Sequence, residues 1–548
     1  MLRSRRMAEE FTREEQAALA PYFTNLDGPV FALVNLPEVV KGALFARYSR
    51  SPKSLRRLFL DEFLSPGGFD AAAGHGGAHG DAGARRAEQL FERVFVEYGD
   101  DSVAQLGGVH LACEGASNIL TKVLEWGRLM AYLEQSTRYI PYDDRPGGRY
   151  RYHVPVELTG ALRERYVATL DRCFDFYRAW LPKLRAFYEA KFPRAPAESE
   201  TVYRMTIRAK ALDTLRGMLP AATTSNVGIY GTGQAYEQLL LRLRAHPLRE
   251  ARDYADLMLV ELRKVIPAFL KRVDAPERGG VWSTYFEDTR RETRDVARRL
   301  LEREPARAAT PMRDAGLVVE DEVTLTDYDP DGEAKIVAAA LYAVSSRPDA
   351  ELLELARRMT AEERSAVLAA YVGKRLNRRH RPGRAFERTS YRFDVLGDYG
   401  AFRDLQRHRL LTLEWQRLTP RHGSVMPEAV AEAGAADDWR SVLAESAELH
   451  DAIEATGASE VASYAVSMAY RVRFYMEMNA REAMHVIELR TTPQGHPSYR
   501  RICQAMHRLI GERHPAIAAA MTFADHSTVE LERLEAERAA ERRRAGSP

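Results

Sequence analysis

Arg407-His408-Arg409 sets two arginines around a histidine, and Thr412 follows three residues later. Leu418-Thr419-Pro420-Arg421-His422 then adds a hydroxyl and further cationic groups. A guanidinium stays charged at any working pH and presents paired coplanar donors, so this stretch suits an anionic ligand such as a phosphate. The same residues also suit a surface ion-pair network with Asp404 and Glu414. An echo stands in the first half, where Trp126-Gly127-Arg128 precedes Glu134-Gln135-Ser136-Thr137-Arg138-Tyr139. Ser136, Arg138 and Tyr139 match Thr419, Arg421 and His422. The leading arginine precedes the trailing one by ten residues here and by twelve in the second half. A carboxylate beside a serine and an arginine can read a base edge and a phosphate together. A capped helix end with an ion pair has the same composition.

A second echo follows in each half. Gly231-Thr232-Gly233-Gln234-Ala235 leads to Leu243-Arg244, and Asn479-Ala480-Arg481 leads through His485 to Leu489-Arg490. Eleven residues separate Gly233 from Arg244 and Asn479 from Arg490. That is about three helical turns, which puts Asn479 and Arg490 on nearly one face. Arg481 and His485, four apart, are also neighbours on a helix surface. A lone histidine there is more often structural. Beside two arginines and an asparagine, His485 reads as a ligand-facing group.

The elements that must position these groups follow from periodicity. Helices are predicted near 108–136, 160–190, 204–219, 234–245 and 249–272, with another starting at Glu88, so the first half is expected to be mostly helical. Strands are predicted at 323–328 and 389–395, with a turn at Pro330-Asp331-Gly332 and a helix through Ile336 to Val344. The Gly- and Ala-rich stretch 65–85 reads as a surface loop. The Pro-, Ala- and acid-rich stretch 303–322 reads as a linker. It divides a first unit, 20–302, from a second, 323–525, before a charged tail, 526–548, that reads as a solvated helix. The basic run Lys374 to Arg381 suits either a nucleic-acid patch or a solvated loop. With 80 Lys and Arg against 78 Asp and Glu, and a net charge of +2, no wider basic excess supports the former. Three dispersed cysteines give neither a disulfide framework nor a zinc site, so no metal is expected. No apolar run reaches membrane-spanning length and no signal-peptide core follows the basic N-terminus. A cytoplasmic location is expected, without a nucleic-acid or membrane partner.

The motifs resemble those of the ThyX family, the flavin-dependent thymidylate synthases. Arg407-His408-Arg409-x-x-Thr412 is similar to that family's Arg-His-Arg-x-x-Ser signature, and Glu134-Gln135-Ser136-Thr137-Arg138-Tyr139 to the signature's end. Asn479-Ala480-Arg481 with His485 and Arg490 resembles its C-terminal helix. Arg216-Gly217-Met218-Leu219-Pro220 resembles its Arg-x-x-Leu-Pro segment, and Ser102-Val103 its Ser-Val pair. The chain departs from the pattern at Leu106, Gly233, Ala235 and Leu239 in the first half and at Arg388 and Ser463 in the second. Flavin-type residues are kept mainly in the second half and nucleotide-type residues best in the first.

The resemblance implies an α+β fold: two ThyX-like units in tandem, each with helices packed on a small, mostly antiparallel sheet, and helix-rich overall. It implies reductive methylation of dUMP to dTMP with FAD, methylene-tetrahydrofolate and NADPH. Arg407, His408, Arg409, Asn479, Arg481 and His485 would hold FAD. Glu134, Ser136, Arg138, Arg216 and Arg421 would bind the nucleotide, and Arg490 or Arg244 would act at the uracil. A homodimer of tandem units would mimic the family's tetramer. The alternatives are a degenerate flavin- or nucleotide-binding protein, and flavin- and folate-dependent transfer to another pyrimidine nucleotide.

Overall fold

The computed structural model describes residues 11–27, 31–48, 51–64, 105–196, 198–303 and 322–534, with 537, 538, 541 and 542. The loop expected at 65–85, the helix expected from Glu88, Ser102-Val103 and residues 304–321 of the expected linker lie outside these residues.

Two compact units form. One comprises Met1–Glu114, Leu129–Glu134 and Asn226–Ala306; the other comprises Gly115–Arg128, Gln135–Ser225 and Arg307–Pro548. The division does not follow the two sequence halves, because a long stretch of the first half folds with the second.

Strands β1 (Gly108–Ser117), β2 (Met130–Glu134) and β3 (Thr224–Thr232) make a three-stranded sheet in the order β1-β3-β2. β2 runs antiparallel to β3, with Met130 opposite Gly231 and Glu134 opposite Val227. The helix Gly233–Arg244 is pinned to this sheet by Tyr236, whose hydroxyl donates to the carbonyls of Val109 at 3.0 Å and Ile229 at 3.2 Å. The helix expected over 108–136 is therefore corrected to β1, a short helix Asn118–Leu124, and β2. Helical geometry starts only where the Ser117 hydroxyl accepts from the Leu120 amide. The residues before it pack as a strand.

In the second unit, β4 (Val323–Tyr328), β5 (Ser390–Asp398), β6 (Thr412–Trp415) and β7 (Arg471–Asn479) pair antiparallel in the order β4-β5-β7-β6. The strands expected at 323–328 and 389–395 are β4 and most of β5. β7 was not anticipated, although Val472, Phe474, Met476 and Met478 are buried and alternate with outward neighbours at the strand period.

A helix from each sequence half shares this unit's core. The long helix Gly160–Lys191 lies against Ala436–Glu454, where Phe176 meets Trp439 edge-on at 5.9 Å and Arg172 Nε pairs with Glu445 at 3.0 Å. Beside them, Ala221 N donates to Val466 O at 2.8 Å and Ala469 N to Gly217 O at 2.7 Å. Two further expectations change here. The side chain of Arg375 in the basic run is buried and donates to both oxygens of Glu488, at 2.6 and 2.5 Å, so the run is not simply a solvated loop. Glu532 and Arg533 of the charged tail are buried. Among the described residues, no helix is long and apolar enough to cross a membrane.

Candidate functional site

The echoes in the sequence fold alike. Ser117 and Asp398 each cap a seven-residue helix, Asn118–Leu124 and Tyr399–Leu405, and Trp126-Gly127-Arg128 and Arg407-His408-Arg409 leave those helices at matching positions. Arg128 Nη2 donates to Thr412 Oγ1 at 3.0 Å and to Leu411 O at 3.1 Å. Ser136 Oγ accepts from Arg138 N at 3.2 Å and Thr419 Oγ1 from Arg421 N at 3.4 Å, so both hydroxyls close local turns. The second echo is out of register by one residue. Each nine-residue strand, β3 and β7, ends on its helix cap, Thr232 and Asn479. Arg244 stands twelve residues beyond its cap and Arg490 eleven beyond its own. One residue turns a helix by about 100°. Leu243, buried, therefore occupies the place that Arg490 has in the second copy.

That register decides where the two arginines go. Arg244 lies in the first unit, with Nη1 on Asp274 at 2.5 Å and Nη2 on Asp256 at 3.0 Å. Glu134 also belongs to that unit and is buried at the end of β2. Arg490 lies in the second unit, within a cluster of arginines around two buried aspartates.

Asp404 is the first of these. It accepts from Arg407, three residues on, and from Arg216 Nη1 at 3.2 Å, and Arg490 Nη1 lies 3.9 Å away. Burial alone would raise the pKa of this carboxyl, but Arg407, Arg216 and Arg490 hold it well below the usual range. Gly400 gives Arg216 its space: a Cβ there would lie 3.2 Å from Nε and Nη2. Asp213 is the second aspartate. Arg138 grips it with two parallel bonds, Nε to Oδ1 and Nη2 to Oδ2, both 2.7 Å. Burial opposes ionisation and Arg138 overrides it, bringing the Asp213 pKa to about 2.

Tyr499 joins the two centres. Its hydroxyl accepts from Arg138 Nη1 at 3.0 Å, and the Arg490 guanidinium lies 5.5 Å from its ring centroid. Arg490 Nε then donates to His408 Nε2 at 2.9 Å. His408 is held neutral, chiefly by burial and then by Arg490, so its proton sits on Nδ1, which lies 3.6 Å from Glu482 Oε1. The His408 and His485 rings meet edge-on at 5.5 Å. Burial, then Arg381, lowers the His485 pKa to about 4. Burial raises Glu482 to about 7, against Arg381 and Arg481.

The remaining predicted residues take other positions. Asn479 caps the helix Ala480–Arg490 by accepting from Glu482 N at 2.9 Å. Arg481 donates to Pro382 O at 2.9 Å and Glu387 Oε1 at 3.2 Å. Arg421 is exposed and reaches Glu454 at 3.2 Å, and Arg409 is exposed. His408, Glu482 and His485 bring possible metal-ligand atoms within 4.8 Å of one another. The guanidiniums of Arg381 and Arg490 beside them favour an anion over a divalent cation.

The chain matches the thymidylate synthase complementing protein family twice, over residues 66–268 and 324–516. It belongs to that family. A UPF0159 protein of Chlamydia muridarum is 38% identical over 532 residues, covering 96% of this chain and 98% of the relative. UPF0159 protein Ta1429 of Thermoplasma acidophilum is 29% identical over 524 residues, covering 91% and 97%. A flavin-dependent thymidylate synthase of Mycobacterium sp. (strain JLS) is 29% identical over 180 residues, 32% of this chain and 66% of the relative. The two matched regions carry the two sequence echoes. The helix Val281–Leu301 and the chain beyond residue 516 lie outside them.

Sequence reasoning missed Asp213, Tyr499, Glu482 and His496 as parts of the cluster, and took Asp404 only as an ion-pair partner. His496 caps the helix Pro497–Arg513, its Nδ1 accepting from Ser498 N at 3.2 Å, and its Nε2 lies 3.4 Å from Asp213 O. Burial, then Arg216, keeps it neutral. Asp404 and Glu482 carried usable signals, their three-residue spacings from Arg407 and His485.

Proposed function

We propose that this chain is an FAD-dependent thymidylate synthase, methylating dUMP to dTMP with methylene-tetrahydrofolate and NADPH. One observation carries the reading. Arg138, a nucleotide-type residue of the first half, and Arg490, from the second, both meet Tyr499, and Arg490 leads directly to His408. The partial match to a protein named as a flavin-dependent thymidylate synthase supports it.

The donor set fits an anionic flavin nucleotide. Arg378, Arg381, Arg407 and Arg490 are the arginines acting on His408 and His485, and Glu482 is half neutral near pH 7 because its pKa is about 7. Arg407, His408, Arg409 and His485 would hold FAD. Asn479 and Arg481 would serve it indirectly, by fixing the helix that carries His485. Reduced flavin would supply the hydride, and the folate the carbon. Arg138 and Arg216 would bind the nucleotide phosphate. Arg490 is the better placed of the two candidate arginines at the uracil, where an adjacent cation favours the ionised, nucleophilic ring. A cysteine nucleophile has no part in the scheme: Cys113, Cys173 and Cys503 are buried, and burial pushes their thiols up to about 11, 12 and 12.

Turnover tests the proposal. Purified protein given dUMP, methylene-tetrahydrofolate and NADPH should form dTMP. Arg490→Ala should lower kcat/KM on the order of 100-fold or more, the loss expected when a charge aimed at the reacting groups is removed, and Arg138→Ala should lower it about tenfold or more through the lost charge-assisted phosphate contact. Flavin-loaded, folded protein that forms no dTMP would overturn it.

A further inference from the structure

The C-terminal segment, outside both family matches, is tied down along one helix. Glu532 takes Lys210 Nζ at 2.5 Å, Arg538 Nε donates to Glu198 Oε2 at 2.9 Å, and Ser199 Oγ donates to Glu541 Oε1 at 2.5 Å. Lys210 lies on the helix Glu200–Leu215, which Ser199 caps. The same helix carries Asp213, and this strap delivers Arg533 to it. Arg533 is buried, its Nη2 is 4.0 Å from Asp213 Oδ2, and its guanidinium lies 4.2 Å from the Tyr139 ring centroid. Both Asp213 oxygens are already bonded to Arg138. Among the described residues, Arg533 is thus a buried cation that shares its one carboxylate with Arg138, and its Nη1 has no hydrogen-bond partner. Arg216 Nη2 is another buried donor with no hydrogen-bond partner among the described residues.

The charges indicate what completes the cluster. Four buried arginines meet two carboxylates: Arg138 and Arg533 share Asp213, and Arg216 and Arg490 lie against Asp404, which the partly exposed Arg407 also reaches. A buried positive excess of this kind is costly unless an anion joins it. A phosphate monoester brings about −1.5 to −2 charges and three acceptor oxygens, which matches the excess and gives Arg533 Nη1 an acceptor. We propose that Arg533, carried by the C-terminal strap, is an additional phosphate-binding residue for the nucleotide monophosphate, contributed from outside the family unit. The assignment rests on the proposed function for the identity of the nucleotide, and on the cluster itself for the phosphate.

The test is calorimetric titration of the full chain with dUMP and, separately, with inorganic phosphate. Wild type, Arg533→Ala, Arg533→Lys and Arg138→Ala are compared. Arg533→Ala should weaken both ligands by the same factor, about tenfold or more, since both lose one buried charge-assisted contact. Arg533→Lys keeps the charge and should recover part of the loss, which separates a binding role from a packing one. Unchanged affinities in Arg533→Ala overturn the inference, as does a loss for dUMP without one for phosphate, or no recovery in Arg533→Lys. If Arg138→Ala still abolishes dUMP binding in those cases, the proposed function survives. Wild type that binds phosphate but not dUMP, with the Arg533 effect intact, overturns the proposed function and leaves the anion site. Wild type that binds neither overturns both.

Discussion

Replacing Asp404 by Asn removes the negative charge that three arginines share without changing side-chain size. Arg216 Nη1 would stay 3.2 Å from a neutral amide and Arg490 Nη1 3.9 Å from it, with side chains only 4% and 15% exposed. Measured losses for buried pairs stripped of one partner are about 3–5 kcal/mol. The variant should therefore lose about 3–5 kcal/mol of stability in the second unit. Urea unfolding followed by tryptophan fluorescence reads this unit well, since Trp126, Trp180, Trp415 and Trp439 lie in it and Trp282 in the other. Added inorganic phosphate should stabilise the variant more than the wild type, because it supplies the missing counter-charge. A loss below ~1 kcal/mol, with equal phosphate effects in the two proteins, would refute the claim that these arginines form one electrostatic unit.

Glu482 carries a pH signature. Its folded pKa, about 7, lies above the ordinary 4.5, so its contribution is fully present below pH 4.5 and is lost as pH rises through 7. At about 1.4 kcal/mol per unit, that is on the order of 3 kcal/mol, and Glu482→Gln should flatten this part of a stability-against-pH curve. An unchanged curve would count against the burial argument. Arg244→Ala should leave dUMP affinity unchanged while Arg490→Ala weakens it at least tenfold by calorimetry; equal losses would contradict the register difference between the two helices. Gly400→Ala crowds Arg216 at 3.2 Å and Asp398 at 2.9 Å. It should cost about 1–3 kcal/mol in urea unfolding and weaken phosphate binding as well; a neutral result would show that Arg216 can move freely.

The parts of this site that were legible in the sequence are those fixed by short spacing. Arg407-His408-Arg409 and the Asn479–Arg490 helix announce themselves because neighbouring residues on a turn or helix have predictable relations. The partners of the arginines could not be read in this way. Asp213 is 75 residues from Arg138, and Tyr499 is 361, so their meeting depends on tertiary packing and not on any short spacing. The pairing of Arg244 with Arg490 failed for a local reason: matching the final arginines instead of the helix caps shifted the alignment by one residue, and one residue redirects a helical side chain. Arg533 was hidden by composition, since a charged tail looks solvated until Lys210, Glu198 and Asp213 are found waiting for it. β7 was readable from its alternation and was overlooked because its arginines and glutamate mask the apolar face.

The central claim is that residues from both sequence halves build one nucleotide and flavin site in the second unit. Its most direct measurement is the visible absorbance of purified protein titrated with dUMP, in wild type and in Arg138→Ala. The account predicts an oxidised-flavin spectrum that dUMP perturbs in wild type and leaves unchanged in Arg138→Ala at the same concentrations. A flavin spectrum that ignores dUMP in wild type, or one that responds identically in both proteins, would contradict it.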